Sequence, residues 1–255
     1  MIPYTELKQI ALAHQYPLLY VTVSGSHLYG FPSRDSDFDL RGAHLLPLDQ
    51  VVGLEPGAQT IEQMGMRGDL ELDLVTYDAA RLFQLMLKKN GYILEQILSE
   101  HVVVTSDVHQ ELIEIARNSA TSFHAAHYRG FAYSQFALFE KDSEHRVKPL
   151  LYTFRVLLTG IHLMKTGEIE PNLGRLNMQA KLPYLEDLIG QKTSGPERAV
   201  IKTRDLDLYN SEINRLLREL EDAQAATHLP PERPNLQKQL HDLLLRLRLN
   251  LAPPA

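Results

Sequence analysis

Apolar and polar positions follow one rhythm in the first part of the chain and another in the rest. Leu18-Leu19-Tyr20-Val21-Thr22-Val23 is a short apolar run rich in β-branched residues, set between Pro17 and Gly25, and it predicts a buried strand. Further strands are expected over 37–46, ended by Pro47, and over 60–64 and 69–76, joined around Gly65 and Gly68. In 69–76, Leu70, Leu72 and Leu74 alternate with Asp69, Glu71 and Asp73, so one face is apolar and the other acidic. Helical spacing is expected after Thr5 as a cap, from Asp78 through Lys89 with Asn90-Gly91 as the stop, and over 92–99. From about residue 106 the period is helical throughout: 107–121, 124–141, 147–166, 180–189, 205–226 and 236–249. Breaks fall at Gly167, Pro171, Gly190, Gly195-Pro196 and Pro230-Pro231. The pattern predicts an α+β protein, a small mixed-sheet domain over 1–105 followed by an all-helical domain over 106–255.

Composition narrows the class. The chain of 255 residues is long enough for a sizeable core and has no apolar run of membrane-spanning length. Its first residues lack the basic-then-apolar layout of a signal peptide. Zero cysteines exclude disulfides and thiolate metal sites, in keeping with the cytoplasm. The net charge of −6 argues against a protein that coats nucleic acid. That deficit is not spread evenly. Residues 1–105 carry 7 Lys+Arg against 13 Asp+Glu, whereas 106–255 carry 19 of each. Crowded carboxylates repel unless a cation sits among them, so the acidic part is the place to look for bound metal.

The residues that carry chemistry lie between 23 and 40. Asp37 and Asp39, two apart on an expected strand, share a face. Two neighbouring carboxylates are a natural seat for a hard divalent cation that also binds phosphate oxygens. Arg34-Asp35-Ser36-Asp37 alone would equally suit a solvated turn. Gly25-Ser26 at the end of the preceding strand changes that balance. A glycine there lets the backbone come close to a phosphate, and the serine hydroxyl adds a donor. A third carboxylate is expected from Asp69, Glu71 or Asp73. Asp73 is preferred because Leu72, Leu74 and Val75 place it deeper in the sheet. Lys148, Tyr152 and Arg155, at i, i+4 and i+7, share a helical face that suits either solvent or a phosphate. The histidines form no ligand cluster by spacing, and Tyr128, Phe131, Tyr133, Phe136 and Phe139 read as helix packing.

The segment from Gly25-Ser26-His27-Leu28-Tyr29-Gly30 through Ser36-Asp37-Phe38-Asp39-Leu40 resembles the signature of the DNA polymerase β nucleotidyltransferase superfamily. More narrowly, it resembles the nucleotidyltransferases associated with bacterial RNA repair. Asp73-Leu74-Val75-Thr76-Tyr77-Asp78, 87–98 and Lys148-Pro149-Leu150-Leu151-Tyr152-Thr153-Phe154-Arg155 are similar to further stretches of that family. The resemblance spans about 18–165 and departs at His27, where the family often has arginine, and at Gly91, where proline is common. It implies transfer of a nucleoside monophosphate from an NTP with release of pyrophosphate. Mg²⁺ or Mn²⁺ would be held by Asp37, Asp39 and Asp73, and Asp73 would activate the acceptor hydroxyl. Gly25 and Ser26 would hold the triphosphate, with Ser36, Lys148, Tyr152 and Arg155 as further binding residues. The expected acceptor is an RNA end. Nucleotidylation of a protein side chain and a non-catalytic nucleotide-binding subunit are the competing readings.

Overall fold

Strand propensity and alternation build a five-stranded mixed sheet. The computed structural model describes residues 2–194, 200–201 and 206–249. The expected break at Gly195-Pro196 and residue 205 lie outside the described residues. The strands are β1 (Leu18–Val23), β2 (Phe38–His44), β3 (Thr60–Arg67), β4 (Leu70–Asp78) and β5 (Val102–Val104), in spatial order β3-β4-β2-β1-β5. β1 is buried along almost its whole length, as its continuous apolar run requires. β4 and β3 form an antiparallel hairpin that returns β4 alongside β2 in parallel. Val102-Val103-Val104 pairs antiparallel with β1 and is a strand the sequence pattern did not single out.

The chain falls into two compact units, neither continuous in sequence. One comprises Met1–Gly25, Asp37–Ser119 and Arg233–Ala255, the other Ser26–Ser36 and Ala120–Glu232. A single division near residue 105 therefore differs from this grouping at three places: 26–36, 106–119 and 233–255. The chain leaves the sheet unit between Gly25 and Ser26 and returns to it between Ser36 and Asp37.

In the sheet unit, α1 (Tyr4–Leu12) buries Leu7 and Ala11 against Val21, Val23, Leu40, Leu72 and Leu74. Full burial of such side chains contributes about 1.5–3 kcal/mol each. Pro3, not Thr5, occupies the cap position of α1, and no side chain caps it. After the short α3 (Asp49–Val52), α4 (Ala79–Leu87) is capped by Asp78, whose carboxylate accepts from Ala80 N at 3.0 Å. The stop after α4 falls at Lys89, which takes φ +59°, while Asn90 caps α5 (Gly91–Ile97) by accepting from Tyr92 N at 3.0 Å. Asn90-Gly91 opens a helix here, because the asparagine side chain satisfies the next helix's free N–H groups. α6 (Asp107–Arg117) and α12 (Leu236–Leu249) complete the unit. Arg248 of α12 donates to both Asp78 carboxylate oxygens at 2.6 Å.

The helical unit is built on α8 (Val147–Thr166), which is buried on nearly all sides and ends at Gly167 with φ +80°. A helix apolar all round belongs at the centre of a bundle. Around it lie α7 (His124–Lys141), α9 (Leu173–Ala180), α10 (Pro183–Ser194) and α11 (Leu206–Ala226). The helix expected over 180–189 is α10, which starts at Pro183 and runs on to Ser194, so Gly190 lies inside it rather than ending it, and α9 before it lies almost wholly outside the expected span. Asn172 caps α9 from outside the expected span. The packing expected of the α7 aromatics holds for Tyr128 and Phe139, which are buried, while Tyr133 is exposed. The segment α2 (Gly25–Tyr29) opens the 26–36 stretch. No helix among the described residues is long and apolar enough to cross a membrane.

Candidate active site

The parallel register of β2 and β4 sets the site. Phe38 pairs with Leu72, Asp39 with Asp73 and Leu40 with Leu74. Directly opposed residues project from the same side of a sheet, so Asp39 and Asp73 stand beside each other. Asp69 lies in the β3–β4 turn, and Glu71, one step along the same face, is exposed. Of the three acidic candidates on this run, Asp73 is the one the ladder places opposite Asp39.

Arg41, two residues beyond Asp39, joins the pair. Its Nη2 donates to Asp39 Oδ1 at 2.8 Å and to Asp73 Oδ2 at 2.7 Å. Its Nη1 donates to the carbonyls of Leu40 at 2.9 Å and Asp73 at 2.5 Å, and its Nε donates to the Tyr92 hydroxyl at 3.1 Å. Burial pushes the guanidinium pKa down, but Tyr92, Asp39 and Asp73 outweigh burial and leave it raised. The charge is therefore fixed. Sequence reasoning passed over Arg41 and Tyr92. The signal for Arg41 was present, because Asp37-Phe38-Asp39-Leu40-Arg41 puts the arginine on the carboxylate face.

Gly25 closes this arrangement on the β1 side. Ser24 N donates to Asp39 O at 2.7 Å, extending the β1–β2 ladder to the glycine. Gly25 takes φ +59°, and a Cβ built there would lie 1.7 Å from Asp39 Oδ2. Only glycine leaves room for that carboxylate. Asp37, just before β2, is half-buried.

These donors fit a divalent cation. Asp73 Oδ1 is buried with no hydrogen-bond partner among the described residues, and the set is all carboxylate oxygen. No group of three or more His, Asp or Glu side chains among the described residues is gathered to hold an ion. Mg²⁺ does not require one, since it is usually held by one or two carboxylates together with substrate phosphates and water.

In the helical unit, Ser26 Oγ is buried and without a hydrogen-bond partner among the described residues, and His27 is half-buried. Phe31 N donates to Ser26 O at 3.1 Å, folding the segment back on itself. α8 packs against this segment through two of the three residues singled out by their spacing. Tyr152 meets the rings of Tyr29 and Phe31 edge-on, at centroid distances of 5.4 and 5.6 Å. The Arg155 guanidinium is fully buried and stacks 3.9 Å from the Tyr29 ring centroid. Burial, and then the Arg155 charge, lowers the His127 pKa to about 4. Lys148 is half-buried in the first turn of α8.

The far end of the segment is held by Lys192 of α10, fully buried, whose Nζ donates to Ser33 Oγ at 2.6 Å. Ser33 Oγ and Ser36 Oγ are 2.9 Å apart, and Ser36 Oγ accepts from Ser33 N at 3.0 Å. Ser36 is thus engaged in holding the turn that leads into Asp37. Nothing in the spacing around Lys192 marked it in advance.

A mixed sheet with Gly-Ser following one strand and Asp-x-Asp leading into the next, together with a helical part, matches the nucleotidyltransferases of the polymerase β class. Residues 3–246 match the RNA repair pathway DNA polymerase beta family, and the chain belongs to that family. It is similar to the uncharacterized protein MJ0002 of Methanocaldococcus jannaschii, with 32% identity over 152 residues, or 60% of this chain. The match takes in 62% of that relative, less than two thirds of its length. It is also similar to the uncharacterized protein YcgL of Bacillus subtilis, at 26% identity over 94% of this chain and 93% of the relative. Among solved structures, a nucleotidyltransferase-like protein from Exiguobacterium sibiricum aligns over 99% of this chain and 79% of its own, with 14% identity and a TM-score of 0.33.

Proposed function

We propose that the protein transfers a nucleoside monophosphate from an NTP to a hydroxyl at an RNA end, releasing pyrophosphate, in the cytoplasm. The observation that carries this reading is the register that opposes Asp39 and Asp73 across β2 and β4, with Gly25 shaped around Asp39. Asp39 and Asp73 would hold Mg²⁺ or Mn²⁺ together with substrate phosphates, with Asp37, at the entry to β2, as a further ligand once the triphosphate is bound. Such an ion supplies charge neutralisation for the triphosphate and Lewis-acid polarisation of the reacting phosphorus centre.

The remaining work falls to the chain's own groups. Asp73 Oδ1, which has no competing donor among the described residues, accepts the proton of the acceptor hydroxyl. The new bond joins the acceptor oxygen to the α-phosphorus, the α–β bridge bond breaks, and pyrophosphate leaves with the electron pair. Arg41 fixes Asp39 and Asp73 in place before substrate arrives. Gly25 and Ser26 bind the triphosphate, the serine through a hydroxyl that is otherwise unused. Tyr152 and Arg155 act through Tyr29 and Phe31, and Ser36 through Ser33, to hold the 26–36 segment rigid.

The test is to incubate the protein with each α-labelled NTP, with Mg²⁺ or Mn²⁺, and with RNA and protein acceptors together. Label on RNA supports the reading. Label on protein alone moves the acceptor to a side chain, and NTP binding without transfer to either makes the chain a nucleotide-binding subunit.

A further inference from the structure

The catalytic face of the sheet continues beyond Asp73 onto the edge strand β3. Among the described residues β3 pairs only with β4, in a register that sets Met64 opposite Asp73 and Met66 opposite Glu71. The same register logic that joins Asp39 to Asp73 therefore puts both methionines on the carboxylate face, with the Met64 Cβ about 5 Å from that of Asp73. Neither is covered: Met64 is 66% and Met66 58% exposed. Two thioether side chains at i and i+2, about 7 Å apart along the strand, give a soft, polarisable apolar surface beside the proposed general base.

The order of strands says what this surface meets. Across the face run the Gly25 end of β1, then Asp37 and Asp39 at β2, Asp73 on β4, and Met64 on β3. In phosphoryl transfer the entering and leaving oxygens lie roughly in line on opposite sides of phosphorus. With the triphosphate held at Gly25-Ser26, pyrophosphate departs towards β1, and the acceptor enters from the β3 side. The hairpin carries Glu62, Asp69 and Glu71 against Arg67, all exposed, so a long phosphate backbone is repelled there. A single uncharged, flat nucleobase is not.

We propose that Met64 and Met66 form the acceptor subsite and stack the terminal base of a single-stranded RNA, recognising one or two end nucleotides rather than a backbone track. This rests on the nucleotidyl-transfer reading above. A thioether packs against any aromatic ring, so the end is selected by its accessibility rather than by its base.

The experiment uses the full chain and a series of single-stranded oligoribonucleotides from two to ten nucleotides long. In Met64→Ala/Met66→Ala, the acceptor KM should rise about tenfold, while the KM for NTP and the thermal midpoint stay at wild-type values. Leu at both positions should restore most of the acceptor affinity. Acceptor kcat/KM should level off by about three nucleotides. An unchanged acceptor KM in the double alanine variant overturns the subsite while leaving the transfer reading intact. So does acceptor efficiency that keeps growing to ten nucleotides. If wild type labels no RNA with any NTP, the transfer reading itself fails and the subsite with it. Label on a polypeptide that is lost in the same variant assigns the surface to a protein acceptor instead.

Discussion

Gly25→Ala separates backbone strain from damage to the site. Gly25 has φ +59°, where an alanine costs about 1–2 kcal/mol. That part affects stability only. The second part is steric. The new methyl would stand 1.7 Å from Asp39 Oδ2, 2.5 Å from its Cγ and 2.9 Å from its Cβ. Ordinary contact is about 3.5 Å, so the carboxylate must retreat by roughly 1.5 Å or more. That displacement breaks its 2.8 Å bond to Arg41. A misplacement of about 1 Å at a reacting centre can cost about 10²-fold, close to 2.7 kcal/mol of barrier. The control is Gly167→Ala, which carries the same backbone cost at φ +80° and meets nothing closer than a His228 ring nitrogen at 3.2 Å and Leu229 Cδ2 at 3.5 Å. Both variants should lose a few degrees of thermal midpoint. Only Gly25→Ala should lose transfer from α-labelled NTP by 10²-fold or more. If both variants fall equally in stability and Gly25→Ala keeps its rate within threefold, Asp39 does not act where the geometry puts it.

Two further expectations concern stability. His44 is fully buried, bonded through Nδ1 to Thr76 Oγ1 at 2.9 Å, with His14, Tyr16, Asp78 and Arg248 around it. Burial, and then His14, lowers its pKa to about 4. Its folded pKa lies below the unfolded value of about 6.5, so the unfolded chain binds more protons between those values and stability falls as pH falls. Between pH 8 and 5 this costs about 2 kcal/mol, and denaturant titrations of His44→Gln should show the pH slope reduced by that amount. An unchanged slope would mean that His44 does not carry it. Arg248→Met leaves the Asp78 carboxylate buried without its charged partner, the two side chains being 6% and 2% exposed. Urea unfolding should report a loss of about 3–5 kcal/mol, partly recovered by adding Asp78→Asn. A loss under about 1 kcal/mol would show that Asp78 is satisfied by its bonds to Leu46 N and Ala80 N alone.

What the sequence revealed followed from local pattern. β1 and the alternation of β4 are short-range signals, and Asp-x-Asp on one strand after Gly-Ser on another already pointed to the chemistry. The choice among Asp69, Glu71 and Asp73 needed the β2–β4 register, a relation between strands about thirty residues apart. Periodicity cannot supply that. Asn90 misled because asparagine followed by glycine suits the end of one helix as well as the start of the next. The grouping of 26–36 with the later helices depends on Tyr29, Phe31 and Ser33 meeting α8 and α10, more than a hundred residues away. Lys192 is the extreme case. A lone lysine near a helix end reads as a solvated surface residue until its partner Ser33 is seen.

The most direct test of the central claim is metal-dependent transfer by Asp39→Asn, which keeps the side chain's size and removes its charge. With the thermal midpoint within a few degrees of wild type, transfer of label from NTP at saturating Mg²⁺ should fall by about 10²–10³-fold. Raising Mg²⁺ or substituting Mn²⁺ should recover part of it. Transfer at the wild-type rate with an unchanged metal requirement would contradict the assignment of this carboxylate face as the catalytic centre.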